Sequence, residues 1–189
     1  MDKSALRLSL REKRRAFVSS LHNTDFQPLH AVSCLKPLID DSTILSFYQS
    51  DADECSVQNL ALDLTDRLAL PCANRKEDRL IFRLWSPGDA LEMSPLGFRQ
   101  PVSFAERGAP SIILTPLLGF DRALNRLGQG AGHYDRAFED YPDAIRIGIA
   151  WSVQEVSALT PDLWDMPLDA ILTEREWIIA PSSRLDLTS

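Results

Sequence analysis

The feature that most constrains the fold of this chain is a series of short, unbroken apolar segments separated by stretches with helical periodicity. An apolar run without polar alternation is typical of a strand that is buried on both faces. The predicted strands are 43–48, 67–71, 80–85, 111–115, 145–151, 170–173 and 177–180. We therefore predict an α/β fold with a layered Rossmann-like sheet and helices on both of its faces.

Helices are predicted between these strands. The predicted segments are 2–21, 26–39 (opened by Pro28 and disturbed by Pro37), 56–66, a helix that starts near Gly132, and a weak helix over 153–159. In the first, Asp2 is a candidate N-cap, and the apolar seam consists of Leu6, Leu10, Phe17 and Leu21. The polar turn ANRKED makes 67–71 and 80–85 a predicted hairpin, and the Pro- and Gly-rich segment 86–110 a long excursion. With no repeat or linker, a single domain over 1–189 is expected.

The composition restricts the class of protein. Of 189 residues, 44% are hydrophobic, which is too many for a disordered chain. No apolar run approaches the ~20 residues that span a bilayer, and the N-terminus lacks the apolar core of a secretory signal. Cys34, Cys55 and Cys72 have no C-x-x-C spacing, so a disulfide framework or a zinc site is not expected. These features predict a soluble, cytoplasmic protein without a membrane partner.

The charge is distributed unevenly along the chain. The net charge is −7, but residues 1–15 alone carry +4. An acidic body argues against a nucleic-acid partner, because such proteins present a broad basic face. Lys3, Arg7, Arg11 and Arg14 follow one another at helical spacing and share one stripe of the first helix. The stripe is interpreted either as an anion-binding surface or as an ordinary solvated face.

A glycine-rich loop between a predicted strand and a predicted helix is the most informative segment. Gly128, Gly130 and Gly132 alternate there, which frees consecutive backbone N–H groups to turn toward an anion. The helix N-terminus that follows favours phosphate, Arg126 adds a cationic donor, and Asp135 is a possible Mg²⁺ ligand. The loop matches neither G-x-G-x-x-G nor a Walker motif, and a simple tight turn remains the alternative.

The segment LGFDRALNRLGQGAGHYD resembles the signature GxxFDxxGxRLGxGxGYYD of the 5-formyltetrahydrofolate cyclo-ligase (methenyltetrahydrofolate synthetase) family. The matching residues are Gly119, Phe120, Asp121, Arg126, Leu127, Gly128, Gly130, Gly132, Tyr134 and Asp135. Further segments have family counterparts in the same order, so the resemblance covers essentially the whole chain. These segments are the Lys3-x-x-Leu6-Arg7 opening, TILSFY followed by Glu54, LALPCA, GFRQP and WDMPLDAILTE.

The resemblance implies a NagB/RpiA/CoA-transferase-like fold and an ATP- and Mg²⁺-dependent cyclo-ligase. Members of the family convert 5-formyltetrahydrofolate and ATP to 5,10-methenyltetrahydrofolate, ADP and phosphate, through a phosphorylated formyl group (an imidate phosphate). A reduced folate and ATP are then the small-molecule partners, and the enzyme is either a monomer or a homodimer.

The resemblance also implies roles for particular residues. ATP binding is assigned to Lys3, Ser4, Ala5, Leu6, Arg7, Arg126, Leu127, Gly128, Gln129, Gly130, Ala131, Gly132, His133 and Tyr134. Folate binding is assigned to Gln49, Glu54, Gln129, Gly130, Ala131, Gly132 and His133. Mg²⁺ binding is assigned to Asp135 and Asp165. Arg126 is expected to stabilise charge on the transferring phosphoryl group, as the catalytic residue.

Alternatives to these roles remain. Glu54 is also placed to cap the helix predicted over 56–66, and Asp121 is expected to form an Asx turn. The family pattern is not met at four positions, which are Val57, Gln100, His133 and Trp164. Two other functions stay open: a relative that binds ATP or phosphate but acts on a thiamine-related or sugar-phosphate substrate, and a non-catalytic nucleotide-binding module.

Overall fold

A computed structural model describes residues 2–21, 31–179 and 185 of the chain. The α-helices are α1 (Lys3–Ser20), α2 (Ala31–Leu35), α3 (Gln58–Leu64) and α4 (His133–Asp140). The strands are β1 (Leu45–Ser46), β2 (Leu68–Cys72), β3 (Ile81–Trp85), β4 (Leu91–Met93), β5 (Arg99–Pro101), β6 (Ile112–Pro116), β7 (Gly119–Phe120), β8 (Arg126–Leu127), β9 (Ile145–Ile149), β10 (Ala170–Leu172) and β11 (Trp177–Ile179). Two 3₁₀ turns span Lys36–Leu38 and Ser152–Gln154.

The central sheet has seven strands in the order β11-β10-β9-β6-β1-β2-β3. The five strands from β10 to β2 are mutually parallel, and β3 and β11 pair antiparallel at the two edges. The pairs β4–β5 and β7–β8 form separate two-stranded ribbons. The predicted α/β class with a mostly parallel central sheet is confirmed.

Side chains from the strands fill a core on each face of the sheet. Along β6, Ile112 and Leu114 enter one core cluster and Ile113 enters the other, as the two-residue period of a strand requires. Helices α1 and α3 cover the first cluster, and α4 covers the second through Phe138 and a neighbouring alanine. Burial on both faces explains why the strand sequences are continuously apolar.

Helix α1 begins as the sequence predicts, but of the predicted apolar seam only Leu10 is fully buried, and the other buried residues of the helix are Arg14 and Val18. The Asp2 carboxylate accepts a hydrogen bond from the backbone N–H of Ala5, at 3.3 Å, and so caps the helix. Leu10 is buried against Gly119, where a Cβ atom would lie only 2.6 Å from the Leu10 Cδ1. This close approach seats α1 beside the β7–β8 ribbon, which leads into the glycine-rich loop.

Other elements differ from the prediction. The weak helix over 153–159 is wrong: only Ser152–Gln154 forms a 3₁₀ turn, because Glu155 is extended and the Val156 N–H bonds to the carbonyl of Phe120 instead. The helix over 26–39 is reduced to α2 and the 3₁₀ turn at Pro37, and residues 26–30 lie outside the described residues, as does Ala180 of the last strand. The excursion 86–110 contains the β4–β5 ribbon.

Two further expectations concern the cysteines and contact with a membrane. All three cysteines are free thiols, and two of them, Cys55 and Cys72, are buried. Within the described ranges, none of the helices combines the length and apolar character that crossing a bilayer requires.

Candidate functional site

A cleft of about 570 Å³ opens at the carboxyl ends of the central strands, within the size range of small-molecule sites. Pro116 and Leu117, at the end of β6, and Glu54, in the loop after β1, contribute to its wall. The chain proceeds from β1 to one side of the sheet and from β6 to the other. The cleft therefore lies at the topological switch point, where ligands bind in open α/β sheets.

The cleft is lined by residues from four separate parts of the chain, within 3–7, 54, 116–139 and 162–165. They are Lys3, Arg7, Glu54, Pro116, Leu117, the continuous run 126–136, Glu139, Asp162, Trp164 and Asp165.

Each of the three alternating glycines lies against an arginine. A Cβ atom would lie 3.1 Å from an Arg126 nitrogen at Gly128, 3.4 Å from the Arg7 Cζ at Gly130 and 3.0 Å from an Arg136 nitrogen at Gly132. Gly130 also has φ +102°, a region that side chains rarely adopt. The loop therefore needs glycine to bring its backbone and three guanidinium groups together.

Helix α4 points its N-terminus into the cleft. Its N-cap is Gly132, which supplies no side-chain cap, and the residues of its first turn line the cavity. The first N–H groups of a helix have no partner within the helix, and the helix dipole makes this end positive. A glycine-rich loop that leads into a helix N-terminus is typical of anion-binding sites, and this role of the loop stays a prediction.

Arg126 is held rigidly beneath the glycine-rich loop. Its side chain is only 6% exposed, donates to the Asp135 carboxylate at 2.6 Å, and lies over the rings of Tyr134 and Phe138 at 5.9 and 5.2 Å from their centroids. Such stacking suits the flat guanidinium group. The predicted catalytic residue and the predicted metal ligand are thus direct partners.

Lys3, Arg7 and Arg11 of the basic stripe face the glycine-rich loop and the cleft, whereas Arg14, predicted to share that stripe, is buried. Arg7 Nε donates to the Gly128 carbonyl at 2.9 Å, and Arg11 donates to the Gln129 side chain at 2.7 and 3.2 Å. These contacts show that the stripe is not merely a solvated face, and its anion-binding role stays a prediction.

Lys3 connects the start of α1 to the far wall of the cleft. Its ammonium group lies 2.6 Å from Asp162 and 2.9 Å from Asp165. Burial by itself lowers the pKa of Lys3, but the hydrogen bonds to the two carboxylates outweigh it, and the net shift is upward. Burial likewise opposes ionisation of Asp165, yet the Asp162 N–H and Lys3 leave the pKa of Asp165 below its usual value. Both groups are charged at neutral pH.

Glu54 is the acidic group on the opposite wall. It does not cap α3, whose N-cap is Val57 with no side-chain hydrogen bond. Its carboxylate accepts from the Asp51 N–H at 3.2 Å and lies 3.6 Å from Arg14. Burial raises the pKa of Glu54, and burial also raises the pKa of Tyr134, whose ring faces the same cavity.

Most residues that the sequence predicts for the site line this one cleft. Four do not: Ser4, Ala5, Leu6 and Gln49. Ser4 and Ala5 are exposed and the other two are half-buried. Ser4 and Ala5 follow Lys3 by one and two positions and therefore lie on other sides of α1. Their assignment to ATP binding stays a prediction that depends on the resemblance.

Several cleft residues were not predicted as site residues, and their sequence signals are weak. Glu139 and Arg136 lie one turn into α4, where nothing in the spacing distinguishes them from solvated residues. Asp162 lies three residues before Asp165, so an acidic pair in that loop was the available signal. Trp164, one of the four positions that depart from the family pattern, lines the cleft and is 63% exposed.

The other departures from the family pattern have local structural roles. His133 lies within 3.3 Å of the Arg75 carbonyl, and Val57 is fully buried in the core. Gln100 is buried and bonds to the backbone N–H of Ala73 and to the side chains of Asn74 and Glu92.

Asp121 has the predicted structural role. It is buried, and its carboxylate accepts from the backbone N–H groups of Ala123, Asn125 and Leu159 at 2.8–3.0 Å. The Asx turn is confirmed, and the hydrogen bonds stabilise the segment between β7 and β8.

The donor set is compatible with a magnesium ion bound together with a nucleotide. In the described part of the chain, no three His, Cys, Asp or Glu side chains form a metal-binding group. Asp135 and Asp165 both line the cleft, and each is paired with a cationic side chain. Mg²⁺ typically takes one or two carboxylates and completes its shell with phosphate oxygens and water, so two aspartates suffice.

Comparison with known proteins identifies the family. The model of the 5-formyltetrahydrofolate cyclo-ligase family matches residues 1–174. The chain belongs to this family. Its relatives include the 5-formyltetrahydrofolate cyclo-ligase of Escherichia coli K12, 27% identical over 175 residues, a match that covers 87% of this chain and 96% of the relative. The cyclo-ligase of Haemophilus influenzae is 33% identical over 99 residues, which span 49% of this chain and about half (53%) of that relative.

A solved structure supports the cyclo-ligase fold. The 5,10-methenyltetrahydrofolate synthetase of Aquifex aeolicus superposes with a TM-score of 0.78 at 26% identity, covering 98% of this chain and 96% of the Aquifex chain. The recognition made from the glycine-rich segment is therefore confirmed, and the 5-formyltetrahydrofolate cyclo-ligase fold extends over nearly the whole chain.

Proposed function

We propose that this chain is an ATP-dependent cyclo-ligase that converts 5-formyltetrahydrofolate to 5,10-methenyltetrahydrofolate, with release of ADP and phosphate. The observation that carries the proposal is a single cleft in which an anion-binding loop backed by arginines faces a carboxylate suited to a folate ring. Family membership over residues 1–174 supports the same reaction. A cytoplasmic location is part of the proposal and agrees with three free cysteines.

The chemistry requires activation of an unreactive amide. The oxygen of the formyl group, which is bonded through its carbon to N5 of the folate, attacks the γ-phosphorus of ATP, and ADP leaves. The formyl carbon, now part of an imidate phosphate, is attacked by N10. This attack closes the ring. N10 then loses its proton, and phosphate departs with the former formyl oxygen to give the methenyl product. Phosphoryl transfer of this kind needs positioning and charge neutralisation more than covalent help from the protein.

The residues of the cleft divide this work between its two walls. Lys3, Arg7 and the N–H groups of the glycine-rich loop bind the phosphates of ATP. Arg126, fixed by its ring contacts, stabilises negative charge on the phosphoryl group during transfer. Glu54 accepts hydrogen bonds from the N–H groups of the pterin. Closing the two substrates into one cleft also excludes water that would hydrolyse the imidate phosphate.

Mg²⁺ would be held by Asp135 and Asp165. When bound, the ion would neutralise charge on the phosphate oxygens of ATP. The two aspartates, with the lysine and arginine paired to them, position the nucleotide's phosphate end near Arg126.

The proposal is tested by incubating the protein with 5-formyltetrahydrofolate and Mg·ATP and following the absorbance of methenyltetrahydrofolate. Product should form, and Arg126→Ala should lower kcat by about 10²–10³-fold, as expected for loss of a group that stabilises transition-state charge. Arg122→Ala is the matched control, because Arg122 belongs to the same segment but is exposed and outside the cleft wall. ATP binding without product would instead indicate a nucleotide-binding module.

The metal assignment has its own test. Asp135→Asn should raise the Mg²⁺ concentration needed for half-maximal activity, because a neutral amide is a weaker ligand than a carboxylate. Asp140→Asn controls for loss of an acid from the same helix, since Asp140 also pairs with an arginine (Arg79) but does not line the cleft. Equal Mg²⁺ dependence in the two variants would remove Asp135 from the metal site.

A further inference from the structure

Arg14 is a charged residue at a position that suits an apolar one. The buried residues of α1 are Leu10, Arg14 and Val18, spaced four apart along the face that packs on the sheet. The residue that follows, Arg15, has a side chain that is 70% exposed, whereas that of Arg14 is 7% exposed. The middle of the buried stripe therefore carries a guanidinium group.

The buried guanidinium group faces Glu54. Its Nη1 lies 3.6 Å from Glu54 Oε1, and the Glu54 side chain is itself only 11% exposed. The Nε of Arg14 is buried and has no hydrogen-bond partner among the described residues. The second carboxylate oxygen of Glu54 accepts from the Asp51 N–H, so Glu54 is held from two sides where it meets the cleft.

Stability does not explain this pair. Desolvation of two charges costs about as much as their attraction returns, and replacing such a pair with well-packed apolar side chains is often neutral or stabilising. An unpartnered buried Nε adds to the cost. A leucine or methionine at position 14 would continue the apolar stripe, so the role of the arginine concerns the carboxylate that it faces.

We propose that Arg14 is a positioning residue for Glu54, which keeps the carboxylate ionised and directed into the cleft to accept hydrogen bonds from the pterin. This inference rests on the proposed function, in which Glu54 contacts the folate. Arg14 itself is not among the residues that line the cleft, so its effect on the folate would pass through Glu54.

The groups around Glu54 define the expected electrostatics. Burial raises the pKa of Glu54 and the charge of Asp51 adds to this rise, whereas the hydrogen bond from the Asp51 N–H and the Arg14 guanidinium both lower it. The neighbouring Tyr48, Cys55 and Tyr134 have raised pKa values and stay neutral at pH 7. Arg14 is thus the cation that stabilises the charged form, and without it Glu54 would be protonated at a higher pH.

The experiment compares Arg14→Met with Arg14→Lys and with the exposed control Arg15→Met. Arg14→Met should raise the KM for 5-formyltetrahydrofolate roughly tenfold, as for one lost charge-assisted hydrogen bond, and leave the KM for ATP within about twofold. The acidic limb of the pH profile of kcat/KM for the folate should move to higher pH. In Arg14→Lys the acidic limb should lie between those of Arg14→Met and the unchanged protein. Arg15→Met should have the same pH profile and KM values as the unchanged protein.

A direct titration separates this inference from the proposed function. In protein labelled with ¹³C at the glutamate carboxyl carbons, the Glu54 signal, assigned with Glu54→Gln, should titrate at a higher pH in Arg14→Met. This readout does not need turnover, so absence of product from the unchanged protein would refute the function but not the pairing. Should Arg14→Met fail to fold, Arg14→Lys is titrated in its place.

Two results would overturn the inference. One is a Glu54 titration that is the same with and without Arg14. The other is an equal rise of both KM values with an unmoved pH profile, which would make Arg14 a purely structural residue. The double variant Arg14→Met/Glu54→Gln should unfold at a temperature no lower than that of Arg14→Met alone, because it removes the unpaired carboxyl group.

Discussion

At the scale of single residues, the candidate site depends on close contacts between arginine side chains and glycines. Gly128, Gly130 and Gly132 each leave space that a guanidinium group of Arg126, Arg7 or Arg136 occupies. Three cations are thereby placed along one loop without long side chains filling the cleft. The loop has two reasons to be glycine-rich, the backbone conformation and the approach of the arginines.

Gly130→Ala separates these two reasons. Alanine at φ +102° is strained by about 1–2 kcal/mol, and its Cβ would lie 3.4 Å from the Arg7 Cζ. We expect the KM for ATP to rise by roughly tenfold, since relaxation of the strained backbone displaces the loop where Arg7 contacts Gly130 and donates to the Gly128 carbonyl. Steady-state kinetics and thermal unfolding measure the two effects.

Gly88→Ala is the matched control for that change. Gly88 has a similar φ of +98° but no atom within 4 Å of the added Cβ. It should lose a comparable amount of stability and keep its KM for ATP. A parallel rise in that KM would attribute the Gly130 effect to global destabilisation rather than to the arginine contact.

At the scale of elements, α1 acts as one wall of the cleft although it is far from the rest of the site in sequence. Its apolar face packs on the sheet through Leu10 and Val18, and its basic stripe reaches the glycine-rich loop and the 162–165 loop. One amphipathic helix therefore serves both the core and the candidate ATP site. ATP binding by this helix, which stays a prediction, would account for its net positive charge on an otherwise acidic chain.

Removal of the two cleft-facing charges of α1 should affect ATP more than folate. Lys3→Ala/Arg7→Ala is expected to raise the KM for ATP at least tenfold, through loss of two charged donors to phosphate, and the KM for folate less than threefold. Lys13→Ala/Arg15→Ala removes two exposed charges from the same helix and should change neither KM. A larger effect of the first variant on folate would contradict the assignment of the stripe.

At the scale of the whole molecule, the loops around the cleft are tied to the sheet by surface charges as well as by the two-faced core. Arg122, after β7, donates to both Glu155 and Glu176 at 2.7–2.9 Å. The contact joins the β7–β8 ribbon to the β10–β11 turn. These side chains are largely exposed, so each pair contributes little to stability.

The contribution of Glu176 to the stability of the fold is expected to decrease as the pH falls. The hydrogen bond from Arg122 lowers the pKa of Glu176 below 4.5. Its stabilisation is therefore present above about pH 4.5 and is lost as the pH falls through the lowered pKa. Glu176→Gln should reduce the free energy of unfolding by at most about 0.5 kcal/mol at pH 7 after solvent screening, and by less near pH 3.

Urea denaturation at the two pH values measures this difference. Glu77→Gln serves as the control, because Glu77 is exposed and forms no ion pair with any residue that the structure describes. A Glu176 effect that persists unchanged at pH 3 would show that the loss is not electrostatic.

The pattern of apolar residues and glycines along the sequence predicted much of the fold, because strand burial and helix starts depend on residues that are close together in the chain. Apolar runs such as 111–115 identified buried strands, and a glycine before a helix located α4. Element ends were less well predicted: β1 has two residues where six were expected, because only Leu45 and Ser46 are paired with both neighbouring strands. The roles of the individual site residues stay predictions.

The sequence by itself determined the α/β class, the place of the glycine-rich loop before α4 and the cyclo-ligase family, since each is encoded in neighbouring residues or in a contiguous motif. Only the tertiary structure decided the strand order, the burial of Arg14 against Glu54, and the contact of Lys3 with Asp162, 159 positions away. Such contacts arise when helices and loops pack on a common sheet. Their partners are selected by position in space, for which spacing along the chain carries no signal.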